Sequence, residues 1–134
     1  MKYLLCFCLF GVLFLNFRDE KTDEQLIGTW TLVSVFKDSI NVTDTHDPFD
    51  ERYIRFSPQG SFQSDGRPFS CNSGDWTISE SGSILKLRSI VDYDNGAWMI
   101  RMQGDRMEWK GIGTAVKEGF LLCFERQLEK DQNP

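Results

Sequence analysis

The fold is decided by one stretch of the chain, Gly28-Thr29-Trp30-Thr31-Leu32-Val33-Ser34-Val35-Phe36. β-Branched and aromatic residues dominate this stretch, which is the composition typical of a β-strand. No segment after residue 26 keeps a 3.6-residue apolar period over three turns, so the sequence contains no core helix beyond this point. The stretch therefore predicts an all-β domain that begins near residue 26.

Further strand-like runs follow, and turn residues separate them. They cover residues 53–57, 61–64, 75–79, 84–89, 97–103, 106–110 and 120–127. The breakers include Pro58-Gln59-Gly60 and Gly104-Asp105, and the latter predicts a two-residue hairpin in which Gly supplies the positive φ. About eight short strands fit a barrel or a sandwich. Because hairpin turns join them without long crossings, we predict an antiparallel, up-and-down, eight-stranded barrel, which also removes exposed edges.

Apolar and polar side chains alternate along these runs, which predicts that one face of each strand points towards a single core. Trp is flat and Met is adaptable, so inward positions of these types can line a pocket for a small hydrophobic molecule. The predicted ligand-binding residues are Trp76, Trp98, Met102, Met107, Trp109 and Phe120. The alternative is that the same residues fill a dry core.

The N-terminus predicts a targeting signal, and the alternative is a buried N-terminal helix of the domain. Residues 3–17 form an apolar run that follows Lys2 and ends against a polar cluster at 18–24. A run of about 15 residues is shorter than the roughly 20 that a membrane-spanning helix needs, and it suits a signal peptide. Residues 13–17 supply no small residues for a cleavage site, so 1–17 is a signal peptide or an N-terminal membrane anchor. The predicted cellular location is the periplasm or the cell envelope.

The remaining organisation follows from this segment. A polar linker covers 18–25, the barrel covers 26–128, and a polar tail covers 129–134. Thr22 followed by Gln25 is a capping-box pattern that predicts a short helical turn before the barrel.

Two cysteines belong to the predicted barrel, Cys71 and Cys123. In an oxidising compartment two well-separated cysteines are candidate disulfide partners, and this bond would close a loop of about 50 residues. The alternative is two thiols that behave as small hydrophobes.

Composition excludes several functions. The net charge of −5 argues against binding nucleic acid, and a single His excludes a His-based metal cluster. The acidic loop 44–51 lacks the spacing of a calcium-binding loop, so we interpret it as solvated rather than as a metal site. Cys71 with His46 lacks a third orienting group for nucleophilic catalysis. We therefore expect a monomer without cofactor, metal or enzymatic activity.

Three segments resemble the small bacterial lipocalin-like domains. Gly28 and Trp30 match the Gly-x-Trp motif of their opening strand, and residues 56–62 are similar to their second hairpin. Residues 120–126 are similar to their closing strand, whose Arg corresponds to Arg126. The resemblance implies an eight-stranded barrel open at one end, with Arg126 packed across Trp30 at the closed end. Some such barrels bind haem through a His, but His46 lies in an acidic loop before the second strand.

The predicted function is an exported lipocalin-like barrel that binds a small hydrophobic molecule without catalysis. One alternative is a structural or protein-interaction module of the cell envelope, with a side-chain-filled barrel and its function in outer loops such as 38–51. A third hypothesis is an inhibitor whose mouth loops plug a protease. An apolar cavity of roughly several hundred Å³ would favour the first of these, and a solid core the second.

Overall fold

The computed structural model describes residues 22–67, 69–90 and 96–128. In chain order its elements are α1 (Thr22–Leu26), β1 (Gly28–Lys37), β2 (Ile40–Asn41), α2 (Thr43–His46), β3 (Tyr53–Phe56), β4 (Ser61–Gly66), β5 (Phe69–Ile78), β6 (Ile84–Ser89), β7 (Gly96–Gln103), β8 (Arg106–Gly111), α3 (Ala115–Glu118) and β9 (Phe120–Arg126). No helix in these ranges is long and apolar enough to cross a membrane. The predicted export segment 1–17 and tail 129–134 lie outside the described residues.

Eight of these strands form a closed antiparallel barrel. Strand β1 pairs with β3, each strand from β3 to β9 pairs with its neighbour in the sequence, and β9 returns to pair with β1. The β1–β9 pairing runs from Trp30 opposite Arg126 to Lys37 opposite Phe120, with a bulge between Leu32 and Ser34. Strand β2 lies beside the far end of β1. The predicted all-β, eight-stranded barrel and the short helix near the N-terminus are confirmed.

The burial of side chains follows the predicted alternation. In β8, Met107 and Trp109 are buried whereas Glu108 and Lys110 are exposed, and Gly104 takes the predicted positive φ in the turn before this strand. Successive side chains of a strand point to opposite faces, so one face of each strand lines the interior. The inside of the barrel is therefore a single core.

The two ends of the barrel differ. Helix α1 and the turns at 57–60, 79–83 and 104–105 lie at one end, where the interior is filled, and Leu26 of α1 is fully buried. The loops 38–52 and 112–119 lie at the opposite end. Large buried side chains fill the half below α1, and they include Trp30, Leu32, Phe56, Trp76, Leu85 and Met107. We call the first end closed and the second end the mouth.

The closed end is held by Arg126. Its guanidinium carbon lies 4.4 Å from the centre of the Trp30 ring, Nη1 donates to the Ile27 carbonyl over 2.9 Å, and Nη2 donates to the Gln25 carbonyl. The Trp30 Nε1–H donates to the Leu26 carbonyl over 2.8 Å. A cation–π contact contributes about 0.5–2 kcal/mol, and hydrogen bonds to a charged group contribute more than neutral ones. Strands β1 and β9 and the end of α1 are thus joined by one side chain.

Gly28 makes room for this contact. Its φ is +126°, and a Cβ built on it would lie 3.1 Å from Nη1 of Arg126. Any other residue would carry a strained backbone and crowd the guanidinium. The Gly-x-Trp pattern is therefore a steric requirement of the Arg126 contact.

We predict that Arg126→Leu lowers the free energy of unfolding by about 2–4 kcal/mol, because it removes the cation–π contact and leaves two carbonyls without their donor. Arg106→Leu is the matched control. Arg106 is an exposed arginine whose ion pair with Glu125 spans 3.5 Å, so its loss is expected to cost under about 0.5 kcal/mol. Urea denaturation measures the free energy of unfolding of both variants and of the wild type. Equal losses of stability in Arg126→Leu and Arg106→Leu would contradict the prediction.

The predicted disulfide between Cys71 and Cys123 is wrong for this structure, in which both thiols are free. Cys71 lies on β5 and Cys123 on β9, with β6, β7 and β8 between them. Four strand spacings of about 4.8 Å separate them around the wall, whereas a disulfide needs Cα atoms within about 7 Å. The closed topology places the two cysteines on opposite sides of the barrel.

We predict that a thiol reagent modifies the native protein first at Cys71, which is exposed, and more slowly at Cys123, which is half-buried. Peptide mapping of the labelled protein identifies the modified residue, and Cys71→Ser should abolish the fast labelling of the barrel. A peptide in which Cys71 is linked to Cys123 would contradict the structure.

Candidate functional site

A cavity of about 160 Å³ lies inside the half of the barrel nearest the mouth. An engineered cavity of about 150 Å³ holds benzene, whereas pockets for drug-sized ligands reach about 300–1,000 Å³. The space therefore suits a molecule of one ring. This cavity is smaller than the several hundred Å³ that a carrier of a larger ligand would need, but its presence also means that side chains do not fill the whole barrel. Besides Trp109, its apolar walls are Ile54, Phe62, Leu87, Trp98, Leu122 and Phe124.

Trp109 lies at the centre of an aromatic cluster that separates this cavity from the filled half. Its ring centre is 4.7 Å from that of Phe124, 5.6 Å from that of Trp98 and 6.2 Å from that of Phe56. Phe56 in turn meets Trp76 edge to face. These rings close the inner end of the cavity and limit its depth.

The structure distributes the predicted ligand-binding residues over the barrel. Trp98 and Trp109 line the cavity. Trp76 and Met107 are buried in the closed half, and Met102 packs against the core from β7. Phe120 lies at the mouth, where its ring meets the edge of His46. Their role in binding stays a prediction.

Sequence reasoning missed several residues of the cavity. The alternation already placed Leu87, Leu122 and Phe124 on inward faces, but their height in the barrel depends on strand register. Polar side chains were missed altogether. Those that line the cavity are Arg52, Tyr53, Ser64, Asp65 and Asn72.

Trp109 also carries an unusual polar group. Trp109 is 3% exposed, and its buried indole Nε1–H has no hydrogen-bond acceptor among the described residues. The buried indoles of Trp30 and Trp76 both donate to main-chain carbonyls, those of Leu26 and Ser57. A buried donor without a partner costs about 1–3 kcal/mol, so the position of Trp109 is not optimal for stability alone.

A polar wall faces this cavity from β4 and β5. Ser64 and Asn72 are opposite each other in the β4–β5 register, and Asn72 is buried. The Ser89 hydroxyl donates to Asn72 Oδ1 over 2.6 Å, and the Ser73 amide donates to the same atom over 2.9 Å. Buried polar groups of this kind are costly in a dry core unless they are satisfied. The cavity is thus apolar on most sides and polar on one.

A lysine reaches over the mouth from the loop between β8 and β9. The ammonium of Lys117 lies 4.4 Å from the centre of the Trp98 ring, and burial lowers the pKa of this lysine. Because Trp98 borders the cavity, the mouth carries a cation next to an apolar interior. Sequence reasoning missed Lys117, since nothing in the 112–119 loop indicates that it folds inward.

The acidic loop has a structural role. Asp47 is 6% exposed, and its Oδ1 accepts the amides of Glu51 over 3.0 Å and Arg52 over 3.3 Å. These bonds fix the turn that leads into β3. Across residues 22–67, 69–90 and 96–128 no three His, Cys, Asp or Glu side chains are grouped as metal ligands would be.

Cys71 and His46 are not brought together. Cys71 is on the outer face of β5, where the Gln63 amide contacts its sulfur at 3.8 Å. His46 ends α2 and packs against Phe120 of β9, on the opposite side of the barrel. These positions do not form the nucleophile and base pair considered from the sequence.

Two depressions on the outside of the barrel are weaker candidates. One of about 700 Å³ covers the outer faces of β5 and β6, and one of about 190 Å³ lies beside the β1 bulge. Charged side chains contribute to the described lining of both, with Lys86 and Arg88 in the first and Arg101 and Glu108 in the second, although the exposed surface of the first is mainly apolar. Solvated charges of this kind are ordinary on the outer face of a barrel. The interior cavity is therefore the candidate site.

Comparison with solved structures supports the fold. The crystal structure of a DUF4847 family protein from Bacteroides vulgatus is similar to this chain, with a TM-score of 0.55 and 11% sequence identity. The similarity covers 78% of this chain and 96% of that one. No protein-family model and no curated protein matches the sequence. At this identity the likeness shows a shared small-barrel fold and nothing about the ligand.

We predict that His46 makes stability depend on pH. Burial, and then the charge of Arg52, lower the pKa of His46 below its usual 6.5. The unfolded chain therefore binds the proton more readily, so the stability contributed by neutral His46 is complete above pH 6.5 and declines as pH falls below it. Urea denaturation at pH 7.5 and pH 5 should show a larger loss for the wild type than for His46→Gln. Equal losses of stability in the wild type and in His46→Gln would show that His46 does not contribute to the pH dependence.

Proposed function

We propose that this chain is an exported, non-catalytic, lipocalin-like barrel that binds a small molecule of about one ring in its open half. The observation that carries the proposal is the buried Nε1–H of Trp109, which finds no acceptor among the described residues although its ring lines a cavity. An acceptor atom on a ligand would recover the roughly 1–3 kcal/mol that an unpaired buried donor costs.

The size of the cavity defines the ligand class. At about 160 Å³ it excludes retinoids, tetrapyrroles and long acyl chains unless the barrel opens, and it accepts a single ring with a small substituent. A ligand of about ten non-hydrogen atoms that gains about 0.3–0.5 kcal/mol per atom binds with a Kd of roughly 0.2–6 mM. The proposed molecule is therefore small, largely apolar, and equipped with a hydrogen-bond acceptor.

Export and the absence of catalysis are parts of the same proposal. The apolar run at 3–17 supports export. The separation of His46 from Cys71 across the barrel supports binding without nucleophilic catalysis. The fold supports a carrier because eight-stranded barrels are wide enough to hold one small ligand.

The test compares two neutral probes of equal size and shape, acetophenone and α-methylstyrene. We predict that both stabilise the full-length protein against thermal unfolding in proportion to their concentration. Acetophenone should bind more tightly by about fivefold, because its carbonyl can accept from Trp109. Trp109→Phe should remove this preference, and Trp fluorescence provides an independent signal.

Two variants on neighbouring positions of β4 provide the control. Ser64 faces the cavity, so Ser64→Phe should fill it and abolish binding of both probes while the fold is kept. Gln63 is exposed, so Gln63→Phe adds the same side chain outside and should leave binding unchanged. Ser64→Leu repeats the test if Phe overpacks the site. If neither probe binds the wild type, the proposal is wrong.

The interaction module is the second candidate, and one observation favours it. Ile40 and Phe49 in the 38–52 loop are 66% and 53% exposed, and Val116 on α3 is 70% exposed. Exposed large apolar side chains at one end of a domain are typical of contact surfaces. This function needs no ligand in the barrel, so it predicts that neither probe binds and that Ser64→Phe is neutral or stabilising.

A further inference from the structure

Two glycines open a space at the mouth of the barrel. Gly96 is the first inward position of β7, ahead of Trp98, and Gly111 is the last inward position of β8. Gly111 and Trp98 are opposite each other in the β7–β8 register. The wall is therefore without side chains at two positions beside Trp98, which borders the cavity.

Lys117 occupies this space. A Cβ built on Gly111 would lie 1.8 Å from the Lys117 carbonyl oxygen and 2.8 Å from its Cγ, and a Cβ built on Gly96 would lie 2.0 Å from its Nζ. The side chain thus crosses from β8 to β7 on the inward side of the wall. The two glycines are needed because no other residue leaves room for this crossing.

The α3 turn fixes the direction of this side chain. Thr114 caps the turn by accepting the Lys117 amide over 3.2 Å, and the Glu118 amide donates to the Thr114 carbonyl over 2.9 Å. Nearby, Lys37 donates to the Val116 carbonyl over 2.6 Å and so ties the loop to β1. The ammonium of Lys117 is held over Trp98 by these contacts and by the cation–π interaction.

Lys117 has no carboxylate partner among the residues that the structure describes. Burial lowers the pKa of its ammonium. Asp65 lies on the other side of the cavity, on β4, where it accepts the Gly66 amide. A partly desolvated cation beside a largely apolar cavity is a site for an anion, because the anion supplies the opposite charge that none of the described carboxylates provides.

We infer that Lys117 binds the anionic group of a compact organic acid whose apolar ring occupies the cavity. This inference rests on the proposed function, and it adds the charge of the ligand and the orientation of the ligand in the cavity. The carboxylate points to β7 and β8, away from Asp65, and the ring lies against Trp98. In this position the carboxylate oxygens can accept from both the Lys117 ammonium and the Trp109 indole. Lys117 is a ligand-binding residue in this arrangement, and Gly96 and Gly111 determine its position.

The experiment compares benzoate with benzamide, which has the same size and shape without the charge. In calorimetric titrations of the full-length protein, benzoate should bind about tenfold more tightly. Added salt should weaken benzoate binding and leave benzamide binding unchanged. Lys117→Met keeps the stem over Trp98 and removes the charge, so it should abolish the preference, whereas Lys117→Arg should retain most of it.

Lys110→Met is the matched control, because Lys110 is an exposed lysine on the outer face of β8. It should keep the preference for benzoate. The inference is overturned if benzamide binds the wild type as tightly as benzoate, or if the preference survives in Lys117→Met; in both cases the proposed function stands. If neither benzoate nor any neutral probe binds, the proposed function and the inference both fail.

Discussion

The pairing of β9 with β1 is the constraint on which the rest of the structure depends. It turns a row of eight hairpin-linked strands into a barrel, and Arg126 holds it by stacking on Trp30 and donating to carbonyls at the end of α1. The guanidinium is partly buried against the Trp30 ring and is anchored to two main-chain oxygens, which favours one register of β9 on β1. The register of the last strand, and with it the height of every inward side chain on β9, follows from this contact.

Closure at one end also explains where the cavity lies. Trp30, Phe56 and Trp76 fill the closed half, and Trp109 ends the filled region. Above Trp109 four inward positions carry small or polar residues, Ser64 and Asn72 on one side and Gly96 and Gly111 on the other. A barrel of eight strands has little interior to spare, so a few small residues at one level are enough to open a space of one ring.

The sequence was sufficient to predict the barrel but not all of its strands. Alternation identified the inward faces of β6 to β9 because each carries apolar residues at every second position. The first half of β5 was missed, since Asn72 and Gly74 have low strand propensity and are extended because β4 pairs with both of them and β6 pairs with Gly74. The β1–β2 hairpin was missed for a similar reason: Asp38 and Ser39 both take positive φ, which non-glycine residues rarely adopt.

The candidate site was less predictable because it depends on which elements meet. Two of the six predicted pocket residues line the cavity, since the choice of Trp and Met took account of residue type and not of height in the barrel. The predicted disulfide was wrong because the distance between Cys71 and Cys123 depends on how many strands separate β5 from β9 in the closed barrel, and the spacing of the two cysteines in the sequence does not give this number. The sequence does not identify Lys117, because the space that its side chain fills is formed by Gly96 and Gly111. The fold alone brings these two glycines onto adjacent strands next to Lys117. In this barrel the two inward glycines near the mouth leave space for a side chain from another element, and the group that takes the space is the cation of Lys117.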